Sequence, residues 1–195
     1  MKTKARARRK FGATQKDRLF LACLPDPATA ARIYALAEEL KDSRKLEGTL
    51  TRAEHLHVTL FHLGDWNGLP DLIVASAQTA AKEIAAAPFD VAFDRAQSLG
   101  NSTGVYPFVL LGDDGPTALR RFRQLLGAAL TRHGLGGAVQ ASEFRPHVTL
   151  LRDARRIGRV PLAPPVSWSV RDFVLVHSLL GRTTHIHLAR WPLQG

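Results

Sequence analysis

The chain has 195 residues, of which 45% are hydrophobic and 23% charged, and its formal net charge at pH 7 is +10. This length and composition are typical of one globular domain, or of two small lobes that share a core. They exclude membrane-spanning helices, because no apolar run approaches the roughly eighteen residues that a span needs. A single cysteine, Cys23, excludes a disulfide framework and is typical of a cytoplasmic protein.

The N-terminal segment is strongly basic. Residues 1–10 contain six Lys or Arg and so supply +6 of the net charge. No apolar stretch follows them, which excludes a secretory signal. We expect residues 1–16 to be a disordered basic arm, either merely solvated or also attracted to an RNA backbone. Residues 17–195 are expected to form a single bilobal domain.

In chain order, the apolar periodicity predicts strands and helices that alternate before two closing hairpin strands. Asp26 followed by Pro27 is a typical helix start, and the polar and basic residues 152–159, which run into the proline-rich 161–165, predict a loop. Adjacent hairpins imply antiparallel pairing and therefore an α+β fold. The predicted strands are 18–24, 54–63, 89–99, 105–111, 145–151, 170–178 and 185–191, and the predicted helices are 27–41, 70–87 and 116–133.

The tetrapeptide His-Val-Thr-Leu occurs twice, at residues 57–60 and 147–150. Both copies lie in apolar, β-branched runs that predict strands, in which alternate side chains share a face. His57 and Thr59 should therefore share a face, as should His147 and Thr149, while the Val and Leu of each copy face a core. Two imidazoles at one centre can act as a base and an acid. Threonine hydroxyls can donate hydrogen bonds to phosphate oxygens, and this chemistry requires no metal.

The flanks of the two copies extend the pattern. Residues 56–64 read LHVTLFHLG and residues 144–152 read FRPHVTLLR. Together they resemble the two motifs of the two-histidine (2H) phosphoesterase superfamily, and most closely its RNA 2′,3′-cyclic phosphodiesterase or 2′-5′ RNA ligase (LigT/ThpR) branch. The resemblance extends from about residue 18 to residue 193, since residues 18–22 resemble the opening strand and residues 173–193 the closing hairpin.

This resemblance implies an α+β fold of two pseudo-symmetric lobes, each a small antiparallel sheet with flanking helices, and an active-site cleft between them. It implies hydrolysis of the 2′,3′-cyclic phosphate of RNA ends or nucleotides to a 2′-phosphomonoester, with His147 as base and His57 as acid. In reverse, the same groups would join such an end to a 5′-hydroxyl in a 2′-5′ linkage. Thr59, Thr149 and Arg152 are expected to hold the phosphoryl oxygens. No cofactor or metal is expected.

Two positions differ from the family pattern. His62 stands where the first motif usually has Phe, which stacks on a nucleobase, and His185 stands where the closing hairpin often has Tyr. Imidazole stacks less strongly than these rings, so the base preference stays open. Arg145 shares strand parity with His147. We expect Arg145 and His62 to bind substrate together with Arg152, although Arg145 could equally pair with a carboxylate.

Other hypotheses remain open from the sequence. The same motifs could act on 2′-5′ oligonucleotides or on a cyclic phosphate of ADP-ribose, or the chain could bind RNA ends without catalysis. A zinc site built from the His55–His57 and His185–His187 pairs is disfavoured, because no carboxylate or cysteine cluster accompanies them. The expected partners are RNA ends or nucleotides bearing 2′,3′-cyclic phosphate, with no membrane contact. We expect a cytoplasmic monomer.

Overall fold

A computed structural model describes residues 16–100, 104–112, 117–140 and 144–194. All but the last residue of the predicted basic arm, and most of the segment between the predicted strands 89–99 and 105–111, lie outside the described residues. The described strands are β1 Asp17–Cys23, β2 Val58–Trp66, β3 Phe89–Ser98, β4 Tyr106–Leu111, β5 His147–Asp153, β6 Val160–Val170, β7 Asp172–Leu179 and β8 Thr184–Pro192. The described helices are α1 Pro27–Ser43, α2 Asp71–Lys82, α3 Thr117–Arg132 and α4 Gly136–Gln140, and Ala53–His55 forms a 3-10 turn.

The strands form an antiparallel sheet in the order β6-β3-β4-β5-β2-β1-β7-β8. Two four-stranded halves can be distinguished, because β2 and β5 are joined by the single residue pair Val58–Val148 whereas the strands within each half pair over longer stretches. In each half the motif strand lies on the inner side, next to the other half. The predicted α+β class, with antiparallel sheet and flanking helices, is confirmed.

The helices cover one face of the sheet and form the main core with it. Asp26 caps α1 by accepting a hydrogen bond from the Thr29 amide at 2.9 Å, and α1 then buries Ile33, Ala37 and Leu40. Strand residues alternate between this core and the opposite face, which we call the cleft face. On β1 and β7 the cleft face carries a separate small apolar cluster of Phe20, Ala22, Val174 and Val176.

The prediction of a loop over residues 161–165 is wrong, because these residues belong to β6. This strand lies at the edge of the sheet and pairs with β3 alone. An edge strand has a row of amides without ladder partners, so prolines cost it few hydrogen bonds. The prolines correctly indicated that this segment lacks amide donors, but they could not show that the segment is an edge strand.

Two element boundaries differ clearly from the prediction. The first motif strand begins at Val58 rather than at Glu54, since Ala53–His55 forms the 3-10 turn. Helix α2 ends at Lys82 rather than near residue 87. A short helix, Gly136–Gln140, is present where no helix was predicted. Among the described helices, none is both long enough and apolar enough to cross a membrane.

Candidate active site

The two His-x-Thr pairs lie where the halves of the sheet meet. Because Val58 and Val148 pair in antiparallel register, each histidine lies across from the threonine of the other strand. The facing pairs are His57 with Thr149 and His147 with Thr59. Diagonal neighbours in such a pair are about 7–8 Å apart at Cα, which leaves room for a phosphoryl group between the imidazoles. The Val and Leu of both motifs are buried in the main core, so the four polar side chains share the cleft face.

Both imidazoles are held in the same way. Nδ1 of His57 lies 2.7 Å from the carbonyl oxygen of His55, and Nδ1 of His147 lies 2.7 Å from the carbonyl oxygen of Arg145. A carbonyl can only accept, so Nδ1 carries the hydrogen in each ring. This leaves Nε2 of both rings as the atom that can take up or release a proton towards a ligand.

A β-bulge follows the threonine in each motif strand. In β2 the register slips between Thr59 and Phe61, and in β5 it slips between Thr149 and Leu151. The two consecutive residues after each threonine are therefore both buried, and the next residue returns to the cleft face. The residues returned in this way are His62 and Arg152, and both are exposed. Strict alternation would have put them on the helix-covered face.

Aromatic and imidazole rings surround His57. Its ring stacks on Phe20 with centroids 4.9 Å apart, and His185 lies edge-on to it at 5.6 Å. His55 packs against His185 at 4.3 Å. Burial, assisted by repulsion from nearby imidazoles including that of His147, lowers the pKa of His57 to about 4. In the ligand-free protein His57 is therefore neutral at pH 7.

His185 belongs to the same cluster. Its ring also lies edge-on to Phe20 at 5.6 Å. Burial and the neighbouring imidazoles lower the pKa of His185 to about 4. His55 reaches this cluster from the end of the 3-10 turn, since it does not lie in β2.

A carboxylate supports the other half-site. Asp153 is buried at the end of β5 and accepts hydrogen bonds from the amides of Glu47, Gly48 and Arg155 at 2.6–2.7 Å. These amides, the Arg155 amide foremost, lower the pKa of Asp153. The bonds tie the segment after α1 to β5 beside Arg152. Asp153 was not predicted as a site residue, because its amide partners are more than a hundred residues away in two of the three cases.

His62 does not stand free in the cleft. Its Nε2 lies 3.0 Å from Oδ1 of Asp65, and Arg18 donates to both oxygens of the same carboxylate at 2.7 Å. The guanidinium of Arg18, followed by His62, holds the pKa of Asp65 well below its usual range. The contact with Asp65 therefore fixes one edge of the His62 ring and leaves the face of the ring available for stacking. Arg145 is exposed just before β5, and its side chain pairs with no carboxylate among the described residues.

Arg123 of α3 connects the two motifs from beneath the sheet. Its Nε donates to the Leu60 carbonyl at 3.0 Å, in the bulge of β2. Its guanidinium carbon lies 4.4 Å from the ring centre of Phe61 and 4.5 Å from that of Phe144, which begins the second motif. The sequence offered no signal for this residue, since an arginine in a helix is usually a solvated charge.

The histidine cluster around His57 is not a metal site. Among the residues that the structure describes, no group of three or more His, Cys, Asp or Glu is arranged to hold a metal ion. The rings of His55 and His185 lie with their centroids 4.3 Å apart and their planes tilted by 32°.

The fold and the paired motifs define a class of protein. The model of the 2′-5′ RNA ligase superfamily matches residues 25–182. Because this match covers most of the chain, the protein belongs to the 2′-5′ RNA ligase superfamily.

Individual relatives agree with this assignment. The chain is 31% identical over 151 residues to the RNA 2′,3′-cyclic phosphodiesterase of Escherichia coli, a match that covers 75% of this chain and 80% of the relative. The crystal structure of E. coli LigT complexed with 3′-AMP superimposes with a TM-score of 0.71 at 26% identity, covering 92% of this chain and 99% of LigT. A crystal structure from Thermus thermophilus shares the fold, with a TM-score of 0.72 at 22% identity and coverage of 91% and 98%.

Proposed function

We propose that this protein hydrolyses the 2′,3′-cyclic phosphate of RNA ends and nucleotides to a 2′-phosphomonoester by metal-independent acid/base catalysis with His57 and His147. The observation that carries the proposal is the matched presentation of the two imidazoles. Each is locked through Nδ1 to a backbone carbonyl, so that both Nε2 atoms are available on one face. The relative named as an RNA 2′,3′-cyclic phosphodiesterase supports this substrate class.

In the proposed reaction one imidazole removes a proton from water as the water oxygen bonds to phosphorus. The bond from phosphorus to the ribose 3′ oxygen breaks, and the other imidazole gives its proton to that oxygen. Thr59 and Thr149 donate hydrogen bonds to the non-bridging oxygens, and Arg152 contributes positive charge. With a 5′-hydroxyl in place of water, the same steps would form a 2′-5′ linkage. Hydrolysis is the main activity because water is in vast excess.

The resemblance to the family assigns the acid role to His57, which must then be protonated when substrate is bound. Its pKa of about 4 in the ligand-free protein would leave it neutral at pH 7. A bound phosphate anion stabilises an adjacent imidazolium and so raises the pKa of that group. In this proposal, substrate binding therefore raises the pKa of His57 and favours its protonated form. The pH profile of kcat should accordingly show a higher pKa for His57 than the pH profile of kcat/KM.

The proposal is tested by incubating the protein, in the presence of EDTA, with the four nucleoside 2′,3′-cyclic phosphates and with a short RNA that ends in this group. We expect turnover of all of them and a 2′-phosphate as product, identified by comparison with authentic 2′- and 3′-monophosphates. A 3′-phosphate product would reverse the proposed regiochemistry. Absence of turnover, with retained binding of the RNA end, would favour the non-catalytic binder instead.

A further inference from the structure

A cavity of about 790 Å³ lies beside the His57 half-site, at the end of β1. Leu24, Pro25, Ala53 and Leu56 give it apolar walls, and Leu24 also packs against the apolar cluster on the cleft face. The 3-10 turn forms one wall, and its Glu54 precedes His57 by only three residues. Their Cα atoms are therefore at most about 11 Å apart. A molecule whose phosphate lies between the histidines can thus extend a second group into this cavity.

Most polar groups of the cavity already have partners. Asp26 caps α1, and Arg190 donates to Asp172 at 2.6 Å. Two charged side chains remain. The guanidinium of Arg171, which lines the cavity, makes no hydrogen bond or ion pair with another described residue. Glu54 has Arg52 as its nearest cation, at 3.6 Å and with both side chains exposed. Glu54 pairs with Arg52 rather than with Arg171. The cavity therefore presents an exposed carboxylate that can still accept a hydrogen bond, and a guanidinium without a partner among the described residues.

This combination of groups suits a nucleobase. The apolar walls can cover a planar ring, a carboxylate accepts from an exocyclic amino group, and a guanidinium donates to a carbonyl oxygen or ring nitrogen. Adenine, cytosine and guanine each carry an amino group and an acceptor of this kind, whereas uracil lacks the amino group.

We infer that this cavity binds the base of the nucleoside next to the one that carries the cyclic phosphate, and that it prefers bases with an amino group over uracil there. This inference rests on the proposed function, because it needs a substrate held between His57 and His147. Glu54 accepts from the amino group, and Arg171 donates to the carbonyl oxygen or ring nitrogen of the same base. Neither residue touches the reacting atoms, so both determine which RNA end is bound rather than how it reacts.

The test uses uridine 2′,3′-cyclic phosphate and the four dinucleotides that place A, C, G or U before it. We expect kcat/KM to be about tenfold higher for the dinucleotides with A, C or G than for the one with U, the size of effect that one good base contact produces. Glu54→Ala and Arg171→Ala should each reduce the ratio of the G dinucleotide to the mononucleotide by about tenfold. Glu39→Ala and Arg121→Ala, which change exposed helix residues outside the cavity, should leave the ratio unchanged.

Two outcomes would overturn the inference. In one, the wild-type protein turns over all four dinucleotides and the mononucleotide with similar kcat/KM. In the other, the Glu54 and Arg171 variants lose mononucleotide and dinucleotide turnover in equal proportion, which would indicate a general effect on the His57 half-site. Absence of turnover of the mononucleotide by the wild-type protein is a separate result, since it would overturn the proposed function and this inference with it.

Discussion

The half-site on β2 and the half-site on β5 have the same His-x-Thr pair, the same lock on the imidazole and the same bulge, yet they are packed differently. His57 stacks on Phe20 and lies among other imidazoles. His147 is more exposed, and within the described residues no aromatic ring is seen to pack against it. The bulge returns an imidazole, His62, to the cleft on one side and a guanidinium, Arg152, on the other. A duplicated motif thus sets equal geometry, while its neighbours make the two halves chemically unequal.

The largest expected effect concerns the histidines themselves. His57→Ala and His147→Ala should each lower kcat on uridine 2′,3′-cyclic phosphate by about a thousandfold, because each removes one proton-transfer group. Equal losses of kcat would show that both histidines act in the chemical step. His133→Ala, just after the end of α3, is the matched control and should retain full turnover. If either single variant keeps near-normal kcat, two-histidine catalysis is wrong.

Substituting the threonine of each half should have a smaller effect than substituting the histidine. Thr59→Val and Thr149→Val keep the shape of the side chain but remove its donor, so each should lower kcat/KM by about ten- to a hundredfold. The structure places the two hydroxyls symmetrically across the β2–β5 junction, and the two losses should therefore agree within a few-fold. A loss confined to one variant would mean that only one half contacts the phosphoryl group.

Arg123 tests how the halves are held together. Arg123→Met should lower the free energy of unfolding by about 2 kcal/mol, since it removes two ring contacts and leaves the Leu60 carbonyl without its donor. Urea denaturation followed by circular dichroism measures this change. Arg121→Met, on the exposed side of α3, should stay within about 0.5 kcal/mol of the wild type. Equal stability of the two variants would contradict the bridging role.

The smallest expected effect is a pH dependence of folding stability that comes from His185, in the half that contains His57. The pKa of His185 is about 4 in the folded protein and about 6.5 when unfolded. The unfolded chain therefore binds more protons, and the contribution of this group to stability is lost as the pH falls from 6.5 towards 4. The stability of His185→Phe relative to the wild type should rise by about 1 kcal/mol between pH 8 and pH 5, allowing for partial solvation. His133→Phe, which changes an imidazole that lies outside this cluster and pairs with Glu83, is the comparison variant.

The sequence by itself determined the order of most elements and the four polar groups of the candidate site. Strand periodicity and the repeated motif are local properties, because side chains alternate within a few residues and do not depend on distant partners. The same locality explains the capped start of α1 at Asp26 and Pro27, and it explains why the antiparallel α+β class could be predicted from adjacent hairpins.

Only the tertiary structure decided what surrounds those groups. The bulges that return His62 and Arg152 to the cleft have no glycine or proline signal, since they arise from the register with β1 and β4. Residues 161–165 belong to β6, whose pairing with β3 continues on both sides of a register shift at residues 162–165. The depressed pKa of His57 depends on rings that come from β1 and β8. Pairing register, edge position and burial are set by residues far apart in the chain, and a local pattern cannot determine them.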